Sequence, residues 1–288
     1  MNWLEVIESS DAFLSKKGVC DSRANAEFLA ARLLRVSRGD LVRVYRDSVS
    51  EKFLDAMRRG IKRLSHGEPV QYVIGEWDFR HLTLKCDKRA LIPRPETEGL
   101  VERVLKHLNE KKPSYSTRPF IVDVGTGTGA IILSLAAEYG YEGMFLGTDI
   151  SEDAITLAKE NAALSGLSDK VKFAVADGLE DFDEPQIIDV IVSNPPYIAT
   201  KECECLERNV RDFEPRLALD GGESGLDFYD RYLSDALNVL KPGGAVFFEI
   251  GENQGELVRE LMFAYGFSNI NIEKDYAAHD RYAFATLD

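Results

Sequence analysis

Phe120-Ile121-Val122-Asp123-Val124-Gly125-Thr126-Gly127-Thr128-Gly129 sets the architecture of everything that follows it in the chain. Its first half is apolar and β-branched around one acid, which predicts a buried strand. Glycines follow at once, and the chain continues as a helix from Ala130 through Tyr139. In a strand-to-helix turn, glycine permits a tight reversal and lets the backbone approach a ligand closely. The spacing is G-x-G-x-G, which differs from the G-x-G-x-x-G of dinucleotide sites. Asp123, in the strand just ahead, would be unwelcome beside a pyrophosphate. The loop therefore suits a cationic or zwitterionic ligand.

C-terminal to this point the pattern alternates. Residues 144–149 form a second strand, whose last residue, Asp149, stands about 20 residues past the glycines, where an acid accepts ribose hydroxyls. Ser151 caps the next helix, with Glu152 and Asp153 in its first turn. Residues 171–175 are a third strand leading to Asp177-Gly178, where a strand-end acid can either meet an adenine amino group or serve as an ordinary loop aspartate. Residues 187–192 are the fourth strand. Helices over 226–240 and 254–265 and strands over 245–250, 270–272 and 282–285 complete the set. Strand–helix alternation of this kind predicts an α/β fold, a doubly wound, mostly parallel sheet ending in a hairpin.

The fourth strand runs into Ser193-Asn194-Pro195-Pro196-Tyr197. Neither proline can donate a ladder hydrogen bond, and each restricts the residue before it, so the strand stops in a stiff extended turn. Such a turn can grip a planar –NH2 group. The Asn194 side-chain oxygen and a carbonyl such as that of Pro195 each accept one N–H, while Tyr197 packs on the plane and excludes water. A conjugated amide nitrogen is a poor nucleophile, so holding its lone pair in line with an electrophile supplies much of the rate. Asn194, Pro195 and Tyr197 are thus the groups expected to act on the amide, with Pro196 completing the substrate contact.

On the other side of the glycine loop, residues 111–118 are polar and predict a loop. Leu91-Ile92-Pro93-Arg94-Pro95-Glu96-Thr97-Glu98 is a stiff connector in which Thr97 and Glu98 open the next helix and Arg94 and Glu98 brace the connector against the Asn194 turn. Residues 70–75 and 79–84 look like two strands of a hairpin. Residues 1–65 show helical periodicity in Phe28, Leu29, Leu33 and Leu34 and again in Phe53, Leu54, Met57, Ile61 and Leu64; Asp21-Ser22 offers a cap, and Gly60 is a weak point. The expected division is 1–65, a helical bundle for substrate docking; 66–90, a connecting hairpin; and 91–288, the catalytic domain. Residues 201–216 carry many charges of both signs and read as a solvated helical face or a mobile segment facing the substrate.

The chain has 288 residues with 44% apolar and 29% charged, enough for one large domain and a smaller one. A formal charge of –14 argues against a general nucleic-acid binder. Cys20, Cys86, Cys203 and Cys205 do not form a disulfide framework, and Cys203-x-Cys205 lacks the partners of a tetrahedral site, so no metal is expected. No apolar run reaches the ~20 residues of a membrane span, and the N-terminus has acids among its apolar residues, unlike a signal peptide. A reduced, cytoplasmic protein is expected.

Glycine loop, strand-end acid and Asn-Pro-Pro-Tyr in this order resemble the class I S-adenosylmethionine-dependent methyltransferases. The closer resemblance is to the PrmC/HemK family, N5-glutamine methyltransferases of peptide chain release factors. It covers nearly the whole chain: Gly67-Glu68-Pro69-Val70-Gln71-Tyr72 with Gly75, Ile92 to Glu98, Asp123 to Gly129, Val192 to Ile198, Phe213-Glu214-Pro215, Gly225-Leu226-Asp227, and Glu249-Ile250-Gly251 with Gln254. The resemblance implies a seven-stranded class I sheet and the binding of S-adenosylmethionine, which leaves as S-adenosylhomocysteine. Gly125, Thr126, Gly127, Thr128 and Gly129 would wrap its methionine part behind Asp123, Asp149 would take the ribose, Asp177 and Gly178 would border the adenine, and Asn194 would touch both cofactor and substrate. Asn194 to Tyr197, with Arg94, would bind the glutamine of a Gly-Gly-Gln motif in a class 1 release factor. A monomer is expected, with neither stable nucleic acid nor membrane as partner. Methylation of a ribosomal-protein glutamine and of adenine N6 in DNA remain the alternatives, and a cofactor-binding scaffold without catalysis is a third. Two departures stand out: Gly178 replaces a tryptophan common in the family, and Tyr276 to Asp280 fills an interval that usually holds a glycine.

Overall fold

The structure, a computed structural model, describes every residue except 112–117, 181 and 183. The loop expected over 111–118 therefore lies almost wholly outside the described residues. The chain divides into two compact units, Met1–Trp77 with Glu207–Phe213, and Asp78–Leu206 with Glu214–Asp288.

The first unit contains α1 (Trp3–Lys16), α2 (Ser22–Leu34), a 3-10 turn over Arg38–Arg43, α3 (Glu51–Ser65) and α4 (Val70–Ile74). Asn2 and Glu5 start α1 with a reciprocal capping box. Trp3, Ile7, Leu14, Leu29, Leu41, Met57 and Leu64 make its core. Gly60 is there because α2 and α3 pack closely: a Cβ would fall 2.3 Å from the Leu29 side chain. Two expectations are corrected. Asp21 makes no side-chain cap bond, and the Ser22 hydroxyl donates to Asp11 instead. Residues 70–75 are not a strand but α4, whose first amides Tyr72 and Val73 donate to the Pro69 carbonyl and whose Tyr72 and Val73 carbonyls take the Arg63 guanidinium. Five residues, four of them β-branched or aromatic, are too few for periodicity to separate helix from strand. The hairpin comes later, as β1 (Glu76–Phe79) and β2 (Leu82–Lys85), turning at Arg80 with φ 52°.

The second unit continues with α5 (Pro95–Lys111), β3 (Phe120–Val124), α6 (Ala130–Glu138), β4 (Met144–Asp149), α7 (Glu152–Leu164), β5 (Val171–Val175) and β6 (Ile188–Ser193). Pro95 at the first helical position starts α5 two residues ahead of the expected Thr97. After α8 (Thr200–Cys203) comes α9 (Arg208–Arg211), inside the short stretch that belongs with the first unit. The charged segment 201–216 is thus broken into single turns and is not one helical face. Then follow α10 (Asp227–Val239), β7 (Leu240–Glu249), α11 (Gly255–Ala264), β8 (Ser268–Lys274) and β9 (Asp280–Thr286).

Among the described residues seven strands form one sheet in the order β5-β4-β3-β6-β7-β9-β8. β5, β4, β3, β6 and β7 pair in parallel, and β9 runs antiparallel to β7 and β8. Because side chains alternate along a strand, the sheet has two apolar faces. Ile121, Val190, Val192 and Phe247 pack with α5 and α6 on one; Val122, Ile191, Val246 and Phe248 pack with α10 and α11 on the other. β6 is buried along its whole length, as a central strand covered on both sides must be. The Tyr276 to Asp280 interval is closed by Asp275, whose Oδ1 accepts from the Ala277 and His279 amides and whose Oδ2 accepts from Arg281. Ala278 takes the left-handed conformation there, with φ 65°.

Candidate functional site

The strand order reverses between β3 and β6, and in an open α/β sheet ligands bind beyond the carboxyl ends of the strands at that point. A cavity of about 340 Å3 opens there. Its walls are the glycine loop after β3, Asp149 and Ile150 after β4, Ala176 to Gly178 after β5, and Asn194 and Pro196 after β6. Arg89 to Arg94 and Thr97 close it from the connector, and Phe228, Arg231 and Tyr232 from α10.

The loop is held open by its own backbone. Gly125, Gly127 and Gly129 have φ of 73°, 54° and 83°, a region L side chains rarely adopt. The Gly127 amide donates to Asp149 Oδ2 at 2.9 Å and the Ser151 amide to Oδ1 at 2.9 Å, so the acid that ends β4 also ties down the loop. Asn161, fully buried, donates to the Thr128 carbonyl from behind. Asp123 lies beneath the loop rather than in the cavity wall; its Oδ2 accepts from the Thr126 hydroxyl at 2.6 Å. Burial pushes the Asp123 carboxyl up to about 7, against the pull of that hydroxyl. Burial likewise raises the Asp149 carboxyl, and the two backbone amides counter it.

The turn after β6 is pinned on every side. The Ser193 hydroxyl donates to the Val124 carbonyl at 2.6 Å, locking the end of β6 to β3. Gln254 Nε2 donates to the carbonyls of Tyr197 (3.0 Å) and Gly225 (3.1 Å), while its Oε1 accepts from the Gly251 amide. The Ile198 amide donates to Leu219, and the Gly221 amide returns a bond to Ile198. Asn194 Nδ2 reaches Thr97 Oγ1 at 3.1 Å. Tyr197 is packed against the core cluster around Tyr229 and Ile250, and burial pushes its hydroxyl up to about 12, so it stays protonated and neutral at ordinary pH.

Arg94 lines the cavity but does not pair with Glu98. It meets Glu214, at 2.5 Å, whose other oxygen accepts from the Ile92 amide; Glu98 instead accepts from the Arg80 amide. Glu214 is buried, and a buried carboxylate needs such a pair of partners. Asp177 is bound by Arg231 at 2.8 Å, and Gly178 leaves the space that Arg231 and Tyr232 fill: a Cβ on it would lie 3.1 Å from the Tyr232 ring.

Of the residues singled out in the sequence, Arg94, Gly125 to Thr128, Asp149, Asp177, Gly178, Asn194 and Pro196 share the cavity wall. Asp123, Gly129, Pro195 and Tyr197 lie behind that wall and shape it. Sequence reasoning missed Ile150, just after β4, and Phe228, Arg231 and Tyr232, whose spacing in α10 reads as ordinary amphipathic pattern. It also quoted Glu249 and Gln254 as motif positions without a role. Among the described residues no group of histidine, cysteine, aspartate or glutamate is placed to hold a metal ion, and no helix is long and apolar enough to cross a membrane.

Residues 120–275 match the family model of a methyltransferase domain, and residues 5–75 that of the PrmC N-terminal domain. A release factor glutamine methyltransferase of Bacillus cereus is 35% identical over 100% of both chains. That of Moorella thermoacetica is 39% identical over 93% of this chain and 92% of its own. A solved human methyltransferase 10 domain containing protein superposes with a TM-score of 0.52 over 72% of this chain and 89% of that one; at 21% identity this is a likeness of fold.

Proposed function

The chain belongs to the release factor glutamine methyltransferase family, and from that membership we propose that it methylates the side-chain amide nitrogen of the glutamine in the Gly-Gly-Gln motif of a class 1 release factor. The observation that carries this reading is the pinned Asn194 amide, set at the carboxyl end of β6 in the wall of a cavity that the glycine loop and Asp149 also line.

The cavity fits S-adenosylmethionine. Asp149 keeps lone pairs free beyond its two backbone bonds and can accept a ribose diol. Ile150, Ala176, Phe228 and Tyr232 offer an apolar slot for a purine, with Asp177 at its edge. Nothing lies within 4 Å of the Cβ position of Gly125, so the loop leaves room for an aminoacyl group at the N-terminus of α6. Bound there, S-adenosylmethionine supplies an electrophilic methyl on a sulfonium.

The chain's own work is positioning. Asn194 Oδ1 and the Pro195 carbonyl accept the two N–H groups of the substrate amide, which turns its nitrogen lone pair toward the cavity. Pro196 and Tyr197 hold the turn rigid and keep water out. Tyr197, with its hydroxyl raised to about 12 by burial, acts by packing and not as a base. The nitrogen sheds its proton after the transfer, so no side chain must take it first. Arg94, locked to Glu214, stiffens the connector beside the substrate. The N-terminal helical unit, matched by a family-specific model while the rest matches a general methyltransferase domain, is the part we assign to docking the release factor. This work belongs in the cytoplasm, with the translation machinery. Asn194→Ala tests the reading: cofactor affinity by calorimetry should stay within about threefold while turnover drops by more than ~100-fold. Equal loss of both would overturn the assigned role.

A further inference from the structure

Three side chains from three distant parts of the chain form a hydrogen-bonded line into the cavity. Thr97 Oγ1 in α5 donates to Glu249 Oε2 at the end of β7, at 2.6 Å, and accepts from Asn194 Nδ2 at 3.1 Å. Thr97 is 4% exposed and Glu249 1% exposed, so water does not compete for either. The carboxylate is fixed in place by its strand: Glu249 pairs with Tyr282 of β9, and its backbone carbonyl accepts from the Tyr229 hydroxyl at 3.0 Å.

The polarity of this line follows from proton counting. Above about pH 7, the value to which burial raises the Glu249 carboxyl, the group is ionised and only accepts, and a threonine hydroxyl has a single proton to give. That proton goes to Glu249, so the Thr97 oxygen is left as an acceptor. Its remaining partner must then be a donor, the NH2 end of Asn194. An asparagine side chain is nearly symmetric in shape, and nothing in its packing alone distinguishes its two ends. Here the hydroxyl of Thr97, itself directed by Glu249, does so, with a further hydrogen bond between Asn194 and the Glu249 carboxyl. Turned the other way, Asn194 would face a substrate amide with its own NH2, donor against donor, leaving both unpaired in a water-poor site.

We propose that Glu249, acting through the Thr97 hydroxyl, sets which end of the Asn194 amide faces the substrate, so that Thr97 and Glu249 are positioning residues for methyl transfer to an amide. This rests on the glutamine-methylating role proposed above. The line also gives a physical task to the Glu249 and Thr97 positions of the two sequence motifs.

The variants are Thr97→Val, which keeps the shape and removes the hydroxyl, and Thr97→Ser, which restores it. Assayed above pH 7, where Glu249 is ionised, Thr97→Val should lower kcat on a release factor at least tenfold, with the KM for release factor and the affinity for S-adenosylmethionine within about threefold of wild type. Thr97→Ser should recover kcat to within about threefold. In spectra of the 15N-labelled protein without substrate, the Asn194 side-chain NH2 should be protected from exchange in the wild type and Thr97→Ser, and unprotected in Thr97→Val. A folded Thr97→Val with wild-type kcat, or a Thr97→Ser as slow as the valine variant, overturns the proposal. Should Thr97→Val fail to fold, Glu249→Gln decides: its amide can give Thr97 a proton and erase the polarity, so an undiminished kcat overturns the proposal. A wild-type protein that labels no release factor refutes the functional reading instead, and the exchange measurement still decides the orientation.

Discussion

Substituting Gly225 should slow catalysis without touching any residue of the cavity wall. Gly225 has φ 77°, and a Cβ built on it would lie 2.5 Å from the Tyr197 carbonyl oxygen and 2.9 Å from Gln254 Nε2. Two effects separate. The left-handed conformation costs any L-residue about 1–2 kcal/mol, wherever it occurs. The contact costs more, because both obstacles hold the Asn194–Tyr197 turn in place: the Tyr197 carbonyl must retreat by about 0.5 Å merely to reach 3.0 Å, the limit of real Cβ contacts. The same carbonyl accepts the 3.0 Å bond from Gln254, which lengthens or breaks at about 1 kcal/mol. A misplacement of about 1 Å can cost ~100-fold in rate, so half of it predicts about a tenfold fall in kcat for Gly225→Ala. Gly266 is the control, with φ 81° and nothing within 4 Å of its Cβ position. Gly266→Ala should lose only the conformational part, roughly 1–2 kcal/mol in urea denaturation, and keep its kcat. Steady-state methylation and denaturation of both variants make the comparison. A Gly225→Ala protein with the stability and kcat of Gly266→Ala would refute the idea that the 219–225 loop sets the position of the turn.

Asp149→Ala should weaken S-adenosylmethionine binding about 10- to 100-fold in calorimetry, since a charged acceptor's bonds are worth ~1.5–3 kcal/mol each; unchanged affinity would remove Asp149 from the ribose role. Ala278→Gly should stabilise the protein by about 0.5–1 kcal/mol, because φ 65° is free to glycine and strained for alanine; a lower urea midpoint would contradict this. Glu249 is wholly buried, and burial pushes its carboxyl up to about 7, with Glu96 adding to the rise while Thr97, Arg281 and Asn194 oppose it and Tyr197, Tyr229 and Tyr282 stand nearby. Folded, it holds a proton that the unfolded chain has lost above about pH 4, so its contribution to stability is full below that pH, declines toward about pH 7 and is level beyond. Glu249→Gln should flatten this decline in denaturation curves taken between about pH 5 and 8; an identical pH slope in both proteins would count against it.

What the sequence made legible is what lies close together along it. The glycine loop could be read because β3 precedes it and α6 follows it within twenty residues, and the Asp149 site because acid and helix cap are neighbours. Asn-Pro-Pro-Tyr announces its stiffness in its own prolines. The supports of the site were hidden because they are bonds between positions far apart in the chain: Thr97 with Glu249, Arg94 with Glu214, Gln254 with Tyr197. The sequence sets Arg94 and Glu98 together as braces of the connector, whereas the fold gives Arg94 a partner 120 residues away. The strand expected at 70–75 failed for a different reason: a five-residue run, apolar but for Gln71, carries no period of its own, and Pro69 and Arg63 decide it by taking up its backbone groups.

Mass spectrometry of a purified class 1 release factor, incubated with this protein and S-adenosylmethionine, tests the central claim most directly. The expected result is one added methyl group on the glutamine of the Gly-Gly-Gln motif, absent when Asn194→Ala replaces the wild type. A protein that binds S-adenosylmethionine and leaves that glutamine unmodified, while methylating a ribosomal protein or duplex DNA in parallel reactions, would contradict it.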